Sequence, residues 1–375
     1  MTGLTGFLIV LAAVVVLLTG YAFRPARQRA RQPAATAVGG TASGPAKIAG
    51  ALSDQSEDGV LLDAYPGIHE IRYLPLAPPQ APRLVEELSP AAIAVIRHRV
   101  TEIKPIPVNY LRLMRLLGNP QSAPAEINAL TTTNPVLSAR ILRTVNSPFF
   151  GRLQKVTSVG RAITLLGYNN VRILVLRESL NAVAPSGDHG LTELYNKIWV
   201  HSAAVSACAG YLGKSLFQLP DYELGTMGLL HDIGKYFLHL FPTVSQTTSG
   251  LPPVLREDAT YGLNHAALGS LIASNWQLSD PMVKTIEYHH HPVFALPETI
   301  PEAYLKQSFV VCLSDLICKS IGHAAEDDGH DRWRVRPEYF ELFKLSPDLQ
   351  GIVTVRLLQE IEKANATVQS YVTES

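Results

Sequence analysis

Cysteine is scarce in this chain. Only Cys208, Cys312 and Cys318 occur in 375 residues, with no CxxC pair. That excludes a disulfide framework, and the three read as reduced core residues of a cytosolic domain. Charge is thin as well: Lys plus Arg equals Asp plus Glu at 32 each, and together they make up 17% of the chain. A balance of zero gives no general electrostatic drive toward nucleic acid, and no nucleic-acid-binding module is present. There is no GxSxG nucleophile motif. No glycine-rich, phosphate-cradling loop follows a strand, since Gly39-Gly40 sits in an Ala- and Pro-rich stretch. Fixed-period repeats are absent, and no alternating strand pattern lasts long. What survives is helical periodicity, so the fold class is all-α.

Apolar residues, by contrast, are plentiful at 47%. Leu4 to Phe23 is a run of 20 uncharged, mostly apolar residues. At about 1.5 Å per residue such a run can cross a hydrocarbon core of roughly 30 Å. Arg24, Arg27, Arg29 and Arg31 follow it. The positive-inside rule then predicts a single-pass inner-membrane protein with its amino terminus outside and its folded domain cytoplasmic. From Arg24 to Pro82, Ala, Pro, Gly and Ser dominate, which predicts a flexible linker. The expected organisation is an anchor at 1–23, a linker at 24–82, a multi-helix domain at 83–325 with its core at 104–321, and a C-terminal helical extension at 326–375.

Within that domain a helix follows Pro107. Asn134 with Pro135 and Ser158 with Gly167 read as cap pairs around two more. The run "VRILVLRESLNAV" fits helix or strand. Further helices are expected near 191–213, 223–240, 261–276, 279–290, 303–322 and 350–370. The segment "GLLHDIGKYFL" embeds His231, Asp232 and Lys235 in an apolar run. Buried charges need something to neutralise them. His201 lies on the apolar stripe Leu194, Ile198, Val205, Cys208, Leu212, and His265 on a similar one. His289 and His290 end a helix, and Asp315 is the one charge in "FVVCLSDLIC". Singly, each reads as a core residue; together, imidazoles and carboxylates without thiolates suit one or two divalent ions, Fe, Mn or Zn, with Asp232 placed to bridge. Arg140, Arg143, Arg152, Lys155, Arg161, Arg172 and Arg177 form a stretch with no acidic residue. It predicts either an anionic ligand, protein or lipid surface, or scattered surface charge.

The order His201…His231-Asp232…Asp315 resembles the H…HD…D signature of the HD superfamily of metal-dependent phosphohydrolases. Adding His265, His289, His290 and Lys235 gives a set similar to the two-metal arrangement of HD-GYP phosphodiesterases. The GYP element is missing, because "VFALPETIPEA" follows the histidines. Upstream, "NPVLSARILRTVNSPFFG" and "VTSVGRAITLLGYNNVRILVL" resemble the HD-related output domain, HDOD, with Asn134-Pro135 where that family usually has Asp-Pro. The resemblance covers about Lys104 to Ile321. It implies an HD-like helical fold and a regulatory module that signals through protein contacts. The alternative is a metal-dependent phosphohydrolase acting on a nucleotide or cyclic dinucleotide. Lys235 is then either a phosphate-facing electrostatic stabiliser or a solvated lysine.

Overall fold

Residues 80–372 of this computed structural model are described, apart from 151–153, 184–188, 245–250, 326–333, 348 and 350. The chain divides into two units, Met1–Asp54 and Gln55–Ser375, and every described residue belongs to the second. Helices account for its regular structure, with no strand among the described residues. The expected membrane topology is corrected here. No helix among the described residues is long and apolar enough to cross a membrane. The Leu4–Phe23 run and the 24–79 part of the linker lie outside the described residues, so the single-pass reading is not carried further.

The chain enters through hydrogen bonds to the domain, with the Arg83 N–H donating to Asp258 Oδ2 at 3.0 Å and the Val85 N–H to Glu287 Oε1 at 2.8 Å. Six helices follow: α1 Pro90–Glu102, α2 Val108–Gly118, α3 Pro124–Thr132, α4 Pro135–Val145, α5 Val159–Leu166 and α6 Tyr168–Val183. Asn134 caps α4 by accepting from the Leu137 N–H, and Ser158 caps α5 by accepting from the Arg161 N–H. Gly167, at φ 78°, closes α5 in a conformation that side chains resist. The ambiguous "VRILVLRESLNAV" is helical, all of it inside α6. Leu113, Ile127, Leu137, Ile141, Ile163 and Leu174 make the small core that binds α2 to α6 together.

The rest is built on α7, His189–Phe217, whose 29 residues span about 43 Å at 1.5 Å each. Its fully buried residues include Ile198, Ala203, Val205, Cys208 and Leu212. Around it stand α8 Asp221–Leu230, α9 Pro253–Tyr261, α10 His265–Asn275, α11 Asp280–Tyr288, the short α12 His291–Phe294, α13 Glu302–Ser320, α14 Pro337–Phe343 and α15 Val355–Val372. α7 and α8 pack very closely. A Cβ on Gly228 would stand 2.9 Å from the Val205 carbonyl oxygen, so only glycine permits that approach. α15 is no appendage: Leu357, Leu358 and Ile361 are buried in the same core as Leu212 and Phe309.

The expected helix over 223–240 ends early, at Leu230. His231 and Asp232 form a turn, and short 3₁₀ turns cover Ile233–Tyr236 and Leu238–Leu240. Gly234 explains the break. A Cβ there would come within 2.0 Å of the His265 carbonyl oxygen, because the turn is pressed against the start of α10. Contact with α10 has overridden an apolar periodicity that extends straight through the turn.

Candidate metal centre

Five elements converge on one buried point. α7 supplies His201, the turn after α8 supplies His231, Asp232 and Lys235, and α10 opens with His265. His289 and His290 come from the end of α11, and α13 carries Asp315. His201, His231, Asp232, His265, His289 and Asp315 are each 3% exposed or less. All seven expected donors are brought together, and Lys235 with them. Asp232 is central. Its Oδ2 lies 3.4 Å from His231 Nε2, 3.7 Å from His201 Nε2 and 3.0 Å from Lys235 Nζ. Its Oδ1 lies 3.1 Å from His265 Nε2 and 4.0 Å from His289 Nε2. Asp315 Oδ1 is 2.9 Å from His201 Nε2, and His290 Nε2 is 2.9 Å from His265 Nε2. The adjacent His291 turns away and packs on Tyr288.

The hydrogen bonds behind the rings fix which nitrogen faces the centre. Nδ1 of His201 donates to the His323 carbonyl at 2.7 Å, Nδ1 of His231 to that of Gly228 at 2.7 Å, and Nδ1 of His289 to that of Ile286 at 2.7 Å. A carbonyl can only accept, so each Nδ1 carries the proton, and in the neutral ring Nε2 is a bare lone pair. Those Nε2 atoms have no hydrogen-bond partner, nor does Asp315 Oδ1, and Asp232 Oδ2 has only the Lys235 ammonium at 3.0 Å. His201 Nε2 and Asp315 Oδ1, 2.9 Å apart, repel unless a proton or a metal ion stands between them. Two atoms bound to one ion at about 2.1 Å and 90–110° apart lie roughly 3.0–3.4 Å from each other, within the 2.9–3.8 Å spread among His201, His231, Asp232 and Asp315. Two triads each bring their donor atoms within 4.8 Å of one another, His201–His231–Asp232 and His265–His289–His290, with Asp232 reaching both. The donor set therefore fits one or two divalent ions.

Burial works against charge at this point, and the neighbours decide each outcome. Burial lowers His231 to about 4. Burial, then His231 and His265, keep His289 well below the ordinary imidazole range. Burial would raise Asp232, but His231, Lys235 and His265 together outweigh it and hold the carboxyl well below its usual range. Asp315 is held down in the same way, with Lys319 the largest opposing influence. His265 goes the other way. Burial would lower it, and Glu257 leads the influences that raise it to about 9.

Three contributors were not visible in the sequence. Glu257, on the unexpected helix α9, accepts from His265 through Oε2, 2.5 Å from Nδ1 and 2.8 Å from the backbone nitrogen. Lys319 pairs with Asp315 at 2.9 Å, and its i+4 spacing was the available signal. His323 contributes only a carbonyl, which no residue type advertises. Lys235 is paired with Asp232 and its side chain is 8% exposed, so it is no solvated lysine. The basic stretch does not form one face. Arg172 and Arg177 are buried, Arg140 pairs with Glu178 at 3.4 Å, and Arg152 lies outside the described residues.

The chain belongs to the HDOD family: the HDOD domain model matches residues 103–292. Asp315 and Lys319 stand beyond that match. A candidate phosphohydrolase of Shewanella amazonensis shares the fold at 23% identity and TM-score 0.54, covering 74% of this chain and 98% of its own. A candidate signal transduction protein of Marinobacter aquaeolei does so at 16% identity and TM-score 0.54, over 85% of this chain and 69% of its own. An uncharacterized protein of Treponema pallidum is 24% identical over 282 residues, which are 73% of this chain. The chain spans about half the length of that curated relative, 52%.

Proposed function

We propose that the protein is an HDOD signalling module that acts through protein contacts and carries a buried divalent-metal centre. His201, His231, Asp232 and Asp315 would hold one ion, and His265, His289 and His290 with Asp232 a second. Iron, manganese and zinc all suit a nitrogen and carboxylate donor set. The observation that carries the regulatory reading is the size of the mouth. The space among Lys235, His265, His290, Asp315 and Lys319 measures about 20 Å³. One water needs about 10–15 Å³ of such volume, so the mouth holds one or two waters and no nucleotide.

Metal analysis and thermal melts of the purified full chain test this. One or two equivalents of metal are expected, with a melt raised by Mn²⁺ in the wild type and unmoved in Asp232→Ala, because an ion that binds only the folded state stabilises it. Failure of every divalent ion to shift the wild-type melt rejects the metal centre.

A metal-dependent phosphohydrolase is the second reading. It is favoured by the two ammonium groups, Lys235 and Lys319, beside the same mouth. A bound ion would supply Lewis acidity to a phosphoryl oxygen or an activated water. Lys235 would place a positive charge beside an incoming phosphate. Turnover of a nucleotide or cyclic dinucleotide that disappears in Lys235→Ala would put this reading first.

A further inference from the structure

A cavity of about 590 Å³ opens at the surface between α2, α6, α8 and the corner that joins α10 to α11. Small-molecule sites fall within roughly 300–1,000 Å³. Its walls are mainly apolar, with Leu176 and Leu230 shared with the core beneath. The chain holds four methionines, and the three after Met1 all line this space: Met114 on α2, Met227 on α8 and Met282 on α11. Methionine is flexible and polarizable, fits irregular shapes, and its sulfur makes favourable contacts with aromatic rings. Tyr222 adds an aromatic wall. Ionisable charge in the lining cancels. Arg115 and Glu223 contribute one of each sign, and Glu223 already accepts from the Tyr222 hydroxyl at 3.3 Å.

A second observation is independent of shape. Trp276, at the corner after α10, lines the cavity and is 3% exposed. Its indole Nε1–H has no acceptor among the described residues. Indole can only donate, buried Trp N–H groups usually find a partner, and a buried donor left unmade costs free energy. The Ser179 and Thr226 hydroxyls, also in the lining, donate within their own helices, to the Leu176 and Tyr222 carbonyls at 2.7 Å each. That leaves the Trp276 indole as the uncommitted donor on the buried wall.

We propose that this cavity binds an uncharged aromatic molecule bearing a carbonyl. The carbonyl oxygen accepts from Trp276 Nε1, and the ring lies among the three methionine side chains and Tyr222. Balanced lining charge gives a carboxylate or an ammonium no net attraction, and taking either out of water is costly. The site is independent of the metal reading, because the two share no residue.

Calorimetry of the full chain tests this with probes that share one ring system: 2-acetylnaphthalene, 2-ethylnaphthalene and 2-naphthoate. The ketone is expected to bind, the hydrocarbon about fivefold more weakly for want of one hydrogen bond. The carboxylate should bind more weakly still. Trp276→Phe keeps an aromatic ring and loses the donor, so it should reduce the ketone to the affinity of the hydrocarbon and leave the hydrocarbon nearly unchanged. Thr226→Leu narrows the cavity from a half-buried position and should weaken both probes together. It keeps the test open where the Trp276 variant does not fold. No binding of the ketone at its solubility limit overturns the proposal, as does binding of both probes unaffected by Thr226→Leu. Equal affinity of ketone and hydrocarbon for the wild type rejects the Trp276 hydrogen bond. Naphthoate binding as tightly as the ketone rejects an uncharged ligand.

Discussion

His201, His231, His265 and His289 each commit Nδ1 to a fixed acceptor and turn Nε2 inward. Three of the acceptors are carbonyls, but the fourth is the Glu257 carboxylate, 2.5 Å from His265 Nδ1. A carboxylate behind an imidazole orients the ring and raises its basicity, and losing such a partner typically costs 10–100-fold in metal affinity. Glu257→Gln is therefore expected to weaken metal binding by about that factor in a chelator competition. The same pair makes the metal-free protein pH-dependent. His265 is raised to about 9 from 6.5, so the folded state holds this proton more tightly than the unfolded chain. Its contribution is complete below pH 6.5 and is lost as pH rises through about 9. The loss is on the order of 3 kcal/mol. His231 and His289, depressed by burial, act in the opposite sense and only below 6.5. Melts of metal-free wild type should fall between those pH values and those of Glu257→Gln should stay nearly flat. Parallel curves for the two proteins would reject the Glu257 role.

At the scale of elements, a helix is legible in the sequence where it carries its own start and stop signals, as at Asn134-Pro135 and Ser158…Gly167. It is not legible where tertiary contact sets the boundary. The turn at His231-Asp232 exists because Gly234 lets the backbone reach α10, and nothing in the apolar pattern of "GLLHDIGKYFL" records that neighbour. α9 was missed as well, and with it Glu257. α15 was expected as an extension, yet it reaches the metal centre indirectly. The Asn365 amide lies 2.7 Å from the His323 ring, and the His323 carbonyl in turn receives His201 Nδ1. Asn365 is 2% exposed, so this link is built into the core. Removing it in Asn365→Ala should cost about 1 kcal/mol of metal-free stability, the ordinary value of one hydrogen bond. The larger effect is expected on Mn²⁺ affinity, about tenfold weaker, because the backbone that orients His201 is released. Equal metal affinity in variant and wild type would show that the last helix has no part in holding the centre.

For the molecule as a whole, residue types and their order made the donor set legible, since histidines and acids on apolar stripes are costly wherever they are buried. The way they meet was not legible. His201 and Asp315 are separated by more than a hundred positions and touch only because α7 and α13 share one core. A centre built from five elements exists only in the folded chain, behind a mouth of about 20 Å³ that is too small for a chelator. That has a kinetic consequence. A chelator cannot approach an ion there until the wall opens locally, so removal should proceed at the opening rate rather than by collision. With EDTA in excess, the metal-loss rate is expected to become independent of EDTA concentration and to rise steeply with temperature, as opening reactions do. An open catalytic site exchanges its metal by direct attack, at a rate proportional to chelator. Stopped-flow mixing of the metal-loaded chain with increasing EDTA separates these cases. A rate that climbs linearly without a plateau would mean that the mouth stands open in solution, and would favour the phosphohydrolase over the closed signalling module.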